Sequence, residues 1–295
     1  MKDWGNTTLM LSSIAALPLK PSLLVLGCAL ALAGCETVDS GGRVSPEVAA
    51  SSQANLSSLS NVVASNPQDP EAYNTRGSAL ARAGKYKEAL LDFDAALRLN
   101  PNFAKAYANR ALAQASLGQP QLALADYERA INADPNYVTA YLGRGNVYRQ
   151  ASQFDMALND YNRALQIDRH NAEAYHNRGL VQQAQNQHMF AVEDFNRAIT
   201  ADANATPPRI ARGMSYIALN DPKAALDDFN TAIASNPNAA EAWLGRGQAY
   251  EAMNDKERAK ASYARAVQVS PKNDGARQAF ARVGGRPGQS YDLVN

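Results

Sequence analysis

From Pro70 to Asn273 the pattern of apolar and polar positions repeats with a strict period of 34 residues, six times, without an insertion or deletion. Each period reads as two amphipathic helices joined by a short polar break. Three columns of the repeat accept only small residues. The eighth position holds Gly77, Ala111, Gly145, Gly179, Gly213 and Gly247, and the twentieth holds Ala89, Ala123, Ala157, Ala191, Ala225 and Ala259. The twenty-seventh holds Ala96, Ala130, Ala164, Ala198, Ala232 and Ala266. Two helices cross closely only where no side chain stands between them, so these columns predict the helix crossings. Large residues fill the rest of the seam. The fourth column is Tyr73, Tyr107, Tyr141, Tyr175, Arg209 and Trp243, and the twenty-fourth is Phe93, Tyr127, Tyr161, Phe195, Phe229 and Tyr263. Pro101, Pro135, Pro237 and Pro271 stop the second helix, while Arg169 and Ala203 stand where two further prolines would be. Pro120 and Pro222 fall where a second helix starts, with Asp221 as a cap.

A period of 34 with paired helices, aromatic starts and a closing proline resembles the tetratricopeptide repeat, over residues 70–273 of the 295. The resemblance implies an all-α, right-handed superhelical solenoid of six helix pairs: 70–103, 104–137, 138–171, 172–205, 206–239 and 240–273. Terminal repeats of such a stack must cover a face that has no neighbour. Residues 56–69 continue the register backwards, with Leu59, Val62 and Pro67 in second-helix columns, and read as a half-repeat. Residues 274–284 read as a capping helix, and 285–295 as a disordered tail. Repeat five departs from the others, since Thr206-Pro207-Pro208-Arg209 replaces the aromatic start and weakens the seam there.

The chain before the repeats has a different character. Leu23 to Ala33 is an apolar run with Lys2 and Lys20 ahead of it and small residues behind, the anatomy of a signal peptide over residues 1–34. Such a run is too short to span a membrane, which takes about 20 apolar residues. Leu32-Ala33-Gly34-Cys35 resembles the bacterial lipobox, which implies cleavage before Cys35 and acylation of that cysteine. Cys28 is a weaker candidate because Leu26 is bulky. The alternative is a plain secreted chain cut near Ala33, but Cys35 would then be an exported thiol with no later cysteine to pair with. Several acyl chains on Cys35 would hold the protein to a membrane stably. Residues 35–55, rich in Ser, Gly and Ala, read as a flexible tether that spans roughly 25 Å as a coil. The resemblance implies a cell-envelope location facing the periplasm. Glu36, where an aspartate would retain enteric lipoproteins in the inner membrane, favours the outer membrane.

Charge adds one further column. The formal net charge is +1, and removing the leader leaves basic and acidic residues equal in number. With no basic stripe, nucleic acid is excluded as a partner. The seventh position is arginine throughout, at Arg76, Arg110, Arg144, Arg178, Arg212 and Arg246, and five repeats carry aspartate at the twenty-third: Asp92, Asp126, Asp160, Asp194 and Asp228. A buried arginine needs a partner, so the two columns predict a structural ladder of ion pairs. Pairing within a repeat would leave Arg246 facing Ser262. Pairing between neighbours would leave Arg76 facing Ser58, and this second wiring is the one expected.

In the family that the repeat resembles, first helices line a concave face with their second, fifth, ninth and twelfth positions. That implies a partner-binding groove lined by Asn74, Ser78, Leu142, Asn146, Arg149, His176, Leu180, Ile210, Met214, Ile217, Leu244 and Gln248, with Asn109 and Asn177 at the sixth position. Leu180, Ile210, Met214, Ile217 and Leu244 form an apolar patch, open equally to a bound helix and to packing between repeats. The asparagine ladder is broken by Thr75, Gly143, Ala211 and Gly245, and no lysine of a carboxylate clamp occupies the fifth column.

No catalytic motif appears. His170, His176 and His188 lack a partner in any known spacing, and the glycines follow the repeat and not a phosphate loop. No metal or cofactor is expected, and an enzyme with an unrecognised site is the remote alternative. The chain resembles periplasmic tetratricopeptide lipoproteins that gather peptidoglycan hydrolases, synthases and proteases, which implies a scaffold acting by proximity. The other resemblance is to lipoproteins that assemble pili or secretion machines. A homodimer through terminal helices is compatible with both.

Overall fold

A computed structural model describes residues 46–286, and these hold fourteen α-helices and no strand. The leader, Cys35 and residues 287–295 of the tail lie outside the described residues. Helix α1 (Pro46–Ser65) precedes six pairs. These are α2 (Pro70–Arg82) with α3 (Tyr86–Leu99), α4 (Ala104–Ser116) with α5 (Pro120–Ala133), and α6 (Val138–Gln150) with α7 (Phe154–Ile167). Then come α8 (Ala172–Ala184) with α9 (His188–Ala201), α10 (Thr206–Ala218) with α11 (Pro222–Ser235), and α12 (Ala240–Ala252) with α13 (Lys256–Val269). Helix α14 (Asp274–Arg282) closes the stack. One expectation is corrected: residues 46–55, assigned above to a flexible tether, are the first half of α1. Pro46 suits a first helical turn, where a missing N–H costs nothing.

The turn inside each pair is made by one residue. Gly84, Gly118, Ser152, Asn186, Asn220 and Asn254 all occupy the fifteenth position with φ between 57° and 74°. In the first pair the Gly84 N–H donates to the Ala81 carbonyl and the Lys85 N–H to the Leu80 carbonyl, the two bonds of a Schellman cap, and each later pair repeats them. Glycine and asparagine reach this left-handed conformation cheaply, whereas Ser152 does so against its Cβ.

The turn between pairs survives the loss of proline. The Asp168 carboxylate accepts the His170 N–H at 3.0 Å, and Asp202 accepts the Asn204 N–H at 3.0 Å, so side-chain turns hold the chain at the two proline-free junctions. Repeat five also keeps its seam bond, contrary to the weakening expected there. Tyr141, Tyr175 and Trp243 donate to the carbonyl six residues earlier, and Arg209 does the same to Ala203 at 2.9 Å.

Packing follows the small columns. Every alanine of the twentieth and twenty-seventh positions is fully buried, as are Phe93, Tyr161, Phe195, Phe229 and Tyr263. A Cβ on Gly77 would stand 2.7 Å from the Phe93 ring, and one on Gly145 2.6 Å from Tyr161. Repeat two has Ala111 at that position, and there the Tyr127 ring lies instead over Gly143 of the next repeat, 2.3 Å from where a Cβ would be. First helices also touch the first helices of neighbouring repeats, while second helices make no comparable contact with one another. The stack is thus tighter along the first helices, which line its inner face.

Candidate protein-binding groove and the arginine ladder

The arginine and aspartate columns meet, but not as expected. Arg144 Nε donates to Asp160 Oδ2 at 2.9 Å and Nη2 to Oδ1 at 2.7 Å, and the same two-pronged pair joins Arg76 to Asp92, Arg110 to Asp126, Arg178 to Asp194 and Arg212 to Asp228. The pairing between neighbours expected for these columns is therefore corrected to pairing within each repeat. The cause is the helical hairpin itself, which sets the seventh position of one helix opposite the twenty-third of its partner. The aspartates are between 1% and 5% exposed, so the planar guanidinium replaces water at both carboxylate oxygens. These bonds raise the pKa of Arg76, Arg144, Arg178 and Arg212 above the usual arginine value.

A link between neighbours does exist, through a column the sequence reading passed over. Arg110 Nη1 donates to Asp94 at 2.6 Å, Arg178 Nη1 to Asn162 at 2.6 Å, and Arg212 Nη1 to Asn196. Asp94, Asn162 and Asn196 are the twenty-fifth residues of the preceding repeats. The polar series Asp94, Glu128, Asn162, Asn196 and Asn230 was the available signal.

On the inner face the predicted groove residues behave differently from one another. Asn74 is buried, and its Oδ1 accepts from Asn109 Nδ2 at 2.8 Å, which also donates to Ser78 Oγ at 3.1 Å, tying repeat two to repeat one. In the middle of the groove the Tyr161 hydroxyl donates to Asn146 Oδ1 at 2.7 Å, and burial pushes that hydroxyl up to about 12 against the pull of Arg149. His176 lies with its ring 5.8 Å from Phe195, and burial with help from Arg149 lowers its pKa to about 4, so the imidazole is neutral. Arg149 Nε and His176 Nδ1 are buried without a hydrogen-bond partner, as is Gln248 Oε1 farther along. At the far end Glu251 accepts from Tyr263 and from Arg282 of the capping helix.

The predicted apolar patch divides. Leu180, Ile210, Ile217 and Leu244 pack partly buried against the seams between repeats, and Leu142, predicted in the groove but not in the patch, is in the core. Met214 stays 36% exposed, and Leu112, at the same position of repeat two, is 57% exposed. Asn177 is buried at the sixth position and does not present a surface. A second set of exposed apolar side chains lies outside the groove, at the nineteenth position of three successive second helices: Leu122, Met156 and Phe190 at 54%, 49% and 61%. Reading down that column would have found it.

Among the described residues no group of three or more His, Cys, Asp or Glu could hold a metal, and no helix is long and apolar enough to cross a membrane. Helix pairs stacked in register, with a curved inner face and a periodic outer framework, define a helical-repeat scaffold for protein interaction. Tetratricopeptide repeat models match residues 70–103, 104–137, 145–186 and 210–275, together more than half of the chain. The chain belongs to the tetratricopeptide repeat family.

Solved structures agree on the fold. The APC/C hetero-tetramer Cut9-Hcn1 matches with a TM-score of 0.69 at 18% identity, over 76% of this chain and 44% of that one, so this chain spans less than half the length of that relative. PilF of Pseudomonas aeruginosa matches with a TM-score of 0.65 at 17% identity, over 72% of this chain and 97% of that one. YrrB, a tetratricopeptide protein with an unusual peptide-binding site, matches with a TM-score of 0.52 at 27% identity, over 64% of this chain and 97% of that one. No curated protein matches the chain in sequence.

Proposed function

We propose that the protein is a cell-envelope adaptor, anchored through acyl chains on Cys35 and facing the periplasm, that gathers peptidoglycan hydrolases, synthases or proteases by holding a peptide segment of each in the inner groove. The observation that carries the binding step is the middle of the groove. There the part-exposed side chains of Asn146, Arg149 and His176 stand, in repeat order, between the exposed Leu112 and Met214. A peptide laid along them meets polar groups flanked by apolar ones, the pattern an extended segment fills with alternate side chains. The likeness to YrrB, described as having an unusual peptide-binding site, supports peptide binding as the use of this fold. Holding several enzymes on one moored scaffold raises their concentration for each other without chemistry by the scaffold.

Affinity purification of the full chain from detergent-solubilised envelopes tests the reading. Cell-wall enzymes recovered with the wild type and lost from Met214→Glu support it. Secretins or pilins recovered in their place would make the protein an assembly factor, the role printed for PilW, which shares its fold. Capture unchanged in Met214→Glu and Arg149→Ala would move binding to the Leu122, Met156 and Phe190 column. Cys35→Ser that remains acylated and membrane-held would overturn the anchor.

A further inference from the structure

Repeat four shows what the ladder does when two arginines share one aromatic ring. Arg178 and Arg197 both lie 5.6 Å from the Tyr175 ring centre, and each has a carboxylate: Asp194 for Arg178, and Glu193 at 2.8 Å for Arg197. Repeat six builds the same arrangement without the acids. Arg246 lies 4.2 Å and Arg265 5.9 Å from the Trp243 ring, while Ala261 and Ser262 occupy the positions of Glu193 and Asp194. Arg246 Nε reaches only the Ser262 hydroxyl at 3.1 Å, and its Nη1 is 3.5 Å from Asn230. Arg265 is bonded to Gln268. Burial lowers the Arg246 pKa, and among the other five ladder arginines that direction has no counterpart. The surroundings are basic too: residues 240–286 hold nine Lys or Arg against five Asp or Glu.

A half-buried guanidinium without a counter-ion is destabilising, and a two-pronged carboxylate is the group that relieves it with best geometry. We infer that Arg246 and Arg265, over Trp243, form a second binding site outside the groove that takes an acidic protein segment with adjacent carboxylates. The segment does from outside what Glu193 and Asp194 do within repeat four. Both arginines are partly exposed, so the segment can reach them. The site is separate from the groove and does not depend on what the groove holds.

Trp243 reports the site. The chain has two tryptophans, Trp4 and Trp243, so in the full chain carrying Trp4→Phe all indole emission comes from the ring under the two arginines. Titration with an acetylated Glu-Asp dipeptide amide at constant ionic strength is expected to give a saturable change in emission. Binding is expected to weaken about tenfold or more in Ala261→Glu/Ser262→Asp, which restores the acids of repeat four. Arg265→Gln, at a side chain outside the core, gives an independent loss should the double variant fold poorly. No saturable change, an equal change with chloride, or an undiminished response in both variants would overturn the site. Tighter binding of inorganic phosphate than of the dipeptide would overturn the assignment to an acidic protein segment.

Discussion

The ladder flank and the inner groove are built from the same helices, yet they treat polar groups in opposite ways. On the flank nearly every arginine finds an aspartate sixteen residues on, and the pattern recurs from repeat to repeat. In the groove no two repeats present the same residues, and polar atoms such as Arg149 Nε and His176 Nδ1 are left unbonded. What recurs with the period closes each hairpin, whereas the polar groups that break the period divide between ties such as Asn109 to Asn74 and atoms left unbonded. A reader of repeat proteins gains a rule from this: the periodic charges belong to the framework, and the exceptions deserve the experiment.

Removing a ladder acid should have the largest effect. Asp160→Ala leaves Arg144 half-buried without its partner and is expected to cost about 3 kcal/mol in chemical unfolding. A loss below ~1 kcal/mol would reduce the flank to surface decoration and remove the contrast. In the groove, Arg149→Ala removes a part-exposed side chain that interacts with the Tyr161 hydroxyl, and is expected to cost about 1 kcal/mol while abolishing partner capture. Ser152→Gly sharpens the framework side: relief of the left-handed conformation is expected to stabilise repeat three by ~1 kcal/mol, seen as a raised unfolding midpoint.

The last effect is confined to acid, as a pH slope. His176 titrates near pH 4 when folded and near 6.5 when unfolded. Between those values the unfolded chain binds the extra proton, so stability falls as pH drops from 6.5 to 4 and is unaffected by this group above that window. His176→Gln is expected to flatten that part of the profile. An unchanged slope would mean that the imidazole is not held neutral by the groove.

Much of this was readable beforehand because the period repeats each constraint six times. Small columns at the eighth, twentieth and twenty-seventh positions marked the helix crossings, and the matching arginines and aspartates marked a ladder. Its wiring was not readable, since sixteen residues back or eighteen forward are equally short steps until the hairpin geometry is known. The turn column of Gly84, Gly118, Ser152 and three asparagines was visible, but a serine among them blurs the left-handed conformation that all six share. The groove was legible only as positions. Whether Leu180 or Leu244 faces a partner or a neighbouring repeat depends on how closely the first helices approach, and no single residue encodes that distance. The start of α1 was missed because Ser and Ala in 46–55 suit coil and helix alike, and little but Pro46 and Glu47 marked the boundary.

The side-chain clasp that joins an arginine to the repeat before it changes along the chain, and Arg144, bonded only to Asp160 of its own repeat, lacks it. The clasp is a carboxylate at Asp94, a neutral amide at Asn162 and Asn196, and a stretched 3.5 Å contact at Asn230. A stack joined this way is a zipper with uneven teeth. Pulled at both ends, it has two weak junctions, one where repeat three meets repeat two without a clasp and one at the stretched Asn230 contact, so the repeats would part as blocks and not one at a time.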